Sequence, residues 1–359
     1  MKSHLLLQRS FWFGLGVSFL LAATVVSFFA GENKTFEELF HFSMTTESVG
    51  PQPLDTARYD AKMIELANMP VVATTTATTA EVAVPPPLWP VKAPYPNVGA
   101  VLPDHRIIAY YGNLYSRKMG VLGEYDEDDM LARLQKEVKK WNAADPKTEA
   151  IPALHYIAVT AQGSPGADGM YRFRMPDSQI DEVLRIAAKI NALVFLDIQV
   201  ALSTLPQEIP VFEKYLKLPN VHLGIDPEFS MQGGAKPGTV IGTFDAKDVN
   251  YAAEYLARLV KEHNLPPKML VVHRFTQRMM TNYQNIRPLP EVQIIVDMDG
   301  WGPPAKKRGT YRNFIYPEPV QFTGFKLFYK NDIKNPGTVL MTPEELLTLT
   351  PRPSYIQYQ

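Results

Sequence analysis

Polar residues recur in this sequence at the ends of apolar runs, in pairs two residues apart. Ala192–Ile198 leads into Asp197 and Gln199, Val221–Ile225 into Asp226 and Glu228, and Val292–Val296 into Asp297 and Asp299. On a strand, residues i and i+2 share a face, so these three pairs have one common phase. His155 and His273 stand late in two further apolar runs, Pro152–Val159 and Met269–His273. Tyr110 and Tyr111 close Arg106–Tyr111, Lys326 and Tyr329 belong to Phe322–Tyr329, and Gln357 lies in the terminal Ser354–Gln359. Strands converging on these ends would share one acidic mouth. Mutual repulsion there raises some carboxyl pKa values, so that one group keeps its proton as an acid while another stays ionised. Each piece also has a plainer use. An Asp after an apolar run caps helices, Asp226-Pro227 and Asp299-Gly300 start turns, and a single His at a strand end is often only hydrogen-bonded. The plain uses leave the recurrence unexplained.

The elements that must position these residues are legible from about residue 96 onward. Between the eight strand-like runs lie amphipathic patterns. One starts at Asp126, with Met130, Leu131, Leu134, Val138 and Trp141 on a face, and another at Asp177, expected as its cap, with Ile180, Val183, Leu184 and Ala187. Further helices are expected near 207–218, 246–264, 277–286 and 304–315, and Thr342-Pro343-Glu344-Glu345 reads as a capped start. Eight strands alternating with helices match a (βα)8 TIM-type barrel, whose reactive face lies at the C-terminal strand ends. An open doubly wound sheet is the alternative. Against it, the first strand is followed by YYGNLYSRKMGVLGEY, which lacks a Gly-rich phosphate loop.

Upstream, Phe11 to Ala30 is free of charge, with Lys2 and Arg9 before it and Glu32 after it. Twenty helical residues span about 30 Å, the thickness of a bilayer core. The sequence predicts a cytoplasmic N-terminus over 1–10, a transmembrane signal anchor over 11–30, a Pro/Thr-rich linker over 31–95, and an extracytoplasmic barrel over 96–359. Cleavage as a signal peptide is the rival; Phe28 at the −3 position of a cut after Ala30 argues against it. The chain has no cysteine, which removes disulfides, thiolate metal sites and cysteine nucleophiles. A net charge of −1 gives no basic footprint, so nucleic acid is not an expected partner. The expected partners are the lipid bilayer, through 11–30, and a polysaccharide or glycan. No cofactor is expected.

The segment HLGIDPEF, ending in Asp226 and Glu228, resembles the D-x-E close of the fourth strand in chitinase-like glycoside hydrolases of family 18, and the short D-x-E of family 25 lysozymes. The resemblance implies that Glu228 donates a proton to the glycosidic oxygen and that Asp226 assists by orienting an N-acetyl group. It departs from family 18 where Val221, His222 and Gly224 occupy the upstream part of the longer motif. The YYG, LDIQ, DPE and DMDG strand ends also look like those of a bacterial group of exported barrel proteins, to which no activity attaches. On this reading Glu228, Asp226, Asp297 and Asp299 are catalytic, with Asp297 or Asp299 stabilising the oxocarbenium-like centre or activating water. Tyr110, Tyr111, Trp301 and Tyr329 offer sugar-stacking faces. His155, Asp197, Gln199, His273, Lys326 and Gln357 complete the substrate site, without a metal. Two other functions stay open. One is a metal-dependent hydrolase using His155, His273 and the Asp cluster, although no H-x-H or H-E-x-x-H spacing exists. The other is a non-catalytic barrel that binds glycans or organises the envelope.

Overall fold

A computed structural model describes residues 53–70 and 87–359. Eight strands close into a parallel barrel: β1 His105–Gly112, β2 Glu149–Ala161, β3 Leu193–Ile198, β4 Val221–Ile225, β5 Lys268–Arg274, β6 Val292–Met298, β7 Phe322–Leu327 and β8 Tyr355–Tyr358. Each strand pairs with its neighbours in sequence, and β1 pairs with both β2 and β8. The ladder therefore has no free edge, and the open-sheet alternative is excluded. The apolar runs are buried on both faces, inward by barrel packing and outward by helices, which is why they read as nearly continuous hydrophobic stretches.

Helix α1 covers Thr56–Ala67, α2 Glu127–Ala144, α3 Asp177–Ala188 and α4 Ala246–His263. Helices α2 to α4 pack the faces their periodicity predicts, with one exchange: in α2 it is Glu137, not Val138, that is buried. Asp245 closes a capping box on α4, and Thr342 closes one on the short helix α6 Pro343–Leu346, after α5 Pro304–Thr310. Asp177 does not cap α3. It is the first helical residue, and its side chain pairs with Lys214 instead. The helix expected near 277–286 is absent. Two 3-10 turns flank Met280–Thr281, which pairs as a strand with Phe244–Asp245.

The stretch expected as linker contains α1, which is capped by Asp55 and closes the N-terminal end of the barrel. Tyr59, Met63 and Leu66 join Ile107, Ala153, Phe195, Phe322 and Tyr355 in one apolar cluster. Each such side chain is worth about 1.5–3 kcal/mol of burial, so α1 belongs to the folded unit. The Arg352 amide donates to the Leu66 carbonyl and the Asn68 side chain to the Leu349 carbonyl, locking the helix beneath β8. Trp89 is also buried and donates to the Tyr316 carbonyl. Among the described residues no helix is long and apolar enough to cross a membrane; residues 11–30 lie outside them.

Candidate active site

Strand alternation sends Tyr111, His155, Asp197, His273, Asp297, Lys326 and Gln357 inward near the C-terminal ends of seven strands, above the apolar floor. All are buried. Gln199, Asp226 and Asp299, just beyond the ends of β3, β4 and β6, are buried with them. The phase argument thus holds for Asp197, Gln199, Asp226, Asp297 and Asp299. Glu228 arrives differently. Pro227–Phe229 forms a 3-10 turn that leaves Glu228 half-buried at the opening, and Asp226 Oδ1 accepts the Glu228 amide at 3.0 Å. Asp226 is therefore partly the turn former of the plainer reading, while its Oδ2 still faces the Gln199 amide at 3.4 Å.

The network has a centre. Asp197 Oδ2 accepts the Tyr111 hydroxyl at 2.9 Å, and Asp197 Oδ1 lies 3.5 Å from Nε2 of both His155 and His273. His273 Nδ1 faces Asp297 at 3.4 Å and Asp299 at 3.5 Å. The Lys326 ammonium sits 3.7 Å from the Tyr111 ring centroid, a cation–π contact at the mouth. Gln357 donates to the Tyr355 hydroxyl, which in turn meets His155 Nδ1 at 2.6 Å.

Burial and like charge act on this cluster as the pairing of carboxylates predicts. Burial, then the charge of Asp299, pushes the Glu228 carboxyl up to about 7. Burial also pushes Asp226 well above the usual carboxylate range, with Asp197 and Asp299 adding to it. Asp197 goes the other way: burial alone would raise it, but the positive charge of His273 and the two imidazoles facing its oxygen outweigh that and hold it low. The site therefore keeps one carboxyl protonated at the opening above another that is ionised at the floor.

Tyr110 and Tyr329 do not reach this mouth. Their hydroxyls bond each other at 3.1 Å, and both rings pack with Tyr358, whose hydroxyl accepts from Trp141 of α2. Position 110 is on the outward phase of β1, so Tyr110 faces the helix layer. Trp301 lies on the loop after β6, is 51% exposed and carries the Lys306 ammonium 4.9 Å from its ring centroid. Two rim aromatics that the strand pattern overlooks are Tyr115, 60% exposed after β1, and Phe173, 48% exposed on the short strand Arg172–Arg174 that pairs antiparallel with the end of β2.

Two glycines were missed as site residues. A Cβ on Gly224 would lie 2.5 Å from His155 Nε2 and 2.7 Å from Asp197 Oδ1, and one on Gly324 would lie 2.5 Å from Asp297 Oδ1. Glycine inside a strand signals close approach of another group, and here that group is the polar layer itself.

No protein-family model and no curated protein sequence matches the chain. Solved structures that resemble it include an uncharacterized B. cereus protein, at 11% identity over 71% of this chain and 60% of that one, with a TM-score of 0.32. Another is a ruminal GH26 endo-beta-1,4-mannanase, at 13% identity over 70% and 58%, with a TM-score of 0.32. The chain thus spans about three-fifths of the length of the structures it matches. The barrel assignment rests on the closed strand ladder, not on these likenesses.

Proposed function

We propose that this chain is a glycoside hydrolase-like protein, anchored in a membrane through residues 11–30, whose extracytoplasmic barrel acts on a cell-envelope or extracellular polysaccharide by general acid catalysis from Glu228. One observation carries the reading: Glu228 is the half-exposed carboxyl at the opening of an otherwise buried acidic cluster. A sugar reaching the mouth meets this carboxyl before the others. Glu228 gives its proton to the glycosidic oxygen as the bond to the anomeric carbon breaks. The positive charge that develops there is stabilised by Asp297 and Asp299 behind it, and one of these two, as the carboxylate, accepts a proton from the attacking water. Tyr115, Phe173 and Trp301 support the choice of substrate. Exposed rings on three segments following barrel strands suit the flat faces of sugars. A burial-raised carboxyl near neutrality suits the acid role.

The test is turnover of a panel of peptidoglycan and polysaccharide fragments by the full chain, because α1 is part of the folded barrel. Glu228→Gln is expected to lower kcat about 10²–10⁴-fold, the usual worth of a positioned acid. Equal turnover by both proteins sinks the assignment. A second reading, metal-dependent hydrolysis, is favoured by the convergence of His155, Asp197 and His273. Glu228→Gln separates the two, lowering turnover in the first and sparing it in the second.

A further inference from the structure

Beneath the mouth, three side chains present unpaired atoms to one point. His155, Asp197 and His273 are fully buried, and one ligating atom of each lies within 4.8 Å of the others. His155 Nε2, His273 Nε2 and Asp197 Oδ1 have no hydrogen-bond partner. Leaving a buried polar atom unsatisfied costs about 1–3 kcal/mol, more for a charged group, so three together need a cause.

The outward atoms of His155 and Asp197 are hydrogen-bonded, while His273 Nδ1 has no hydrogen-bond partner and faces two carboxyls. His155 Nδ1 meets the Tyr355 hydroxyl at 2.6 Å, and Asp197 Oδ2 accepts the Tyr111 hydroxyl at 2.9 Å. His273 Nδ1 faces Asp297 and Asp299 at 3.4 and 3.5 Å. We propose that His155 Nε2, His273 Nε2 and Asp197 Oδ1 form a binding site for a divalent transition cation of the zinc class.

Two of the three separations fit. Bonds of about 2.0–2.2 Å at tetrahedral angles hold neighbouring ligand atoms about 3.3–3.5 Å apart, and each imidazole nitrogen stands 3.5 Å from the Asp197 oxygen. Two imidazoles and one carboxylate suit zinc, whereas magnesium and calcium take oxygen sets. The bonds at His155 Nδ1 and Asp197 Oδ2 are what a metal-binding imidazole or carboxylate needs to fix its orientation, and two carboxyls stand behind His273 Nδ1. The space is also reserved by residue choice, since any side chain at position 224 would crowd the two atoms facing it. A proton on His273 is the rival account: it sets both rings against one Asp197 oxygen at 3.5 Å, too long for good hydrogen bonds, so all three atoms remain poorly satisfied. A doubly charged ion satisfies all three atoms and offsets the surrounding carboxyls, a requirement that holds whether or not Glu228 acts as an acid.

The test uses the full chain, stripped with a chelator and then dialysed against Zn²⁺ or Co²⁺ alone. Wild type is expected to retain one ion per chain, to melt at a higher temperature with Zn²⁺, and to show the visible bands of tetrahedral cobalt. Asp197→Asn should lose retention, and His263→Ala, at the exposed end of α4, should keep it. Tyr111→Phe removes the hydroxyl that supports Asp197, with its longer contact to Gln199, and should weaken affinity about 10–100-fold, which reads the site even if Asp197→Asn does not fold. A wild-type chain that retains no ion overturns the proposal. So does retention that Asp197→Asn, where it folds, and Tyr111→Phe both leave unchanged.

Discussion

Replacing Gly224 by Ala adds one methyl group to the most crowded point of the barrel interior. The new carbon would lie 2.5 Å from His155 Nε2 and 2.7 Å from Asp197 Oδ1, roughly an ångström inside normal contact. Neither neighbour can swing away cheaply. The His155 ring is tied to Tyr355 and stacked on Phe195 with 5.3 Å between centroids, and Asp197 is held by Tyr111. Overpacking of this kind costs about 1–3 kcal/mol, so Tm should fall by roughly 2–10 °C. Gly163→Ala, where an added carbon meets nothing within 4 Å, is the control and should leave Tm within about 1 °C of wild type. Differential scanning calorimetry reads both variants. Because the displaced groups are the floor of the mouth, turnover of the best substrate should fall with stability. A Gly224→Ala protein with wild-type Tm and turnover would refute the claim that this glycine reserves space for the polar layer.

Other expectations follow from the same geometry. With the Glu228 carboxyl raised to about 7, the acid form is present below that pH and lost above it, so kcat/KM should fall about tenfold per pH unit on the alkaline side, a limb that Glu228→Gln removes. The same shift makes ionised Glu228 a cost to folding. Glu228→Gln should therefore gain stability relative to wild type as pH rises from about 4.5 to 7, as urea titration can measure. Trp301→Ala should raise KM roughly 2–12-fold with kcat nearly unchanged, the worth of one stacking face in steady-state kinetics. Met63→Ala, on the face of α1 that plugs the barrel, should cost about 2–5 kcal/mol by denaturant titration while leaving kcat unaltered below the transition.

The barrel was legible because its strands are short apolar runs at regular spacing, and all eight appear within a few residues of where the runs lie. The site was legible where strand alternation governs, as at Asp197, Asp297 and Asp299. It was misread where alternation had to be counted across an adjacent pair: Tyr110 and Tyr111 cannot share a face, and only Tyr111 points inward. Glu228 escapes the strand rule because Pro227 turns the chain first. Helix α1 was hidden by its surroundings, since a single amphipathic helix beside a Thr- and Pro-rich stretch has no local sign of what it covers. Tyr355, which supports His155 from β8, also carries no signal, because its partner is 200 residues away in sequence. Gly224 and Gly324 did carry one, as glycines inside strands, but not what they make room for.

The plug formed by α1 also has a mechanical meaning. It sits at the end of the barrel opposite the mouth, and the chain reaches it from its N-terminal side. Tension pulling on residue 53 would load α1 first, held by a few apolar side chains and the bonds around Asn68 and Arg352. The barrel behind it is a closed ladder with no edge strand to unzip. Release of α1 would absorb work before any strand is strained, a fuse that protects the geometry of the mouth when the chain is pulled.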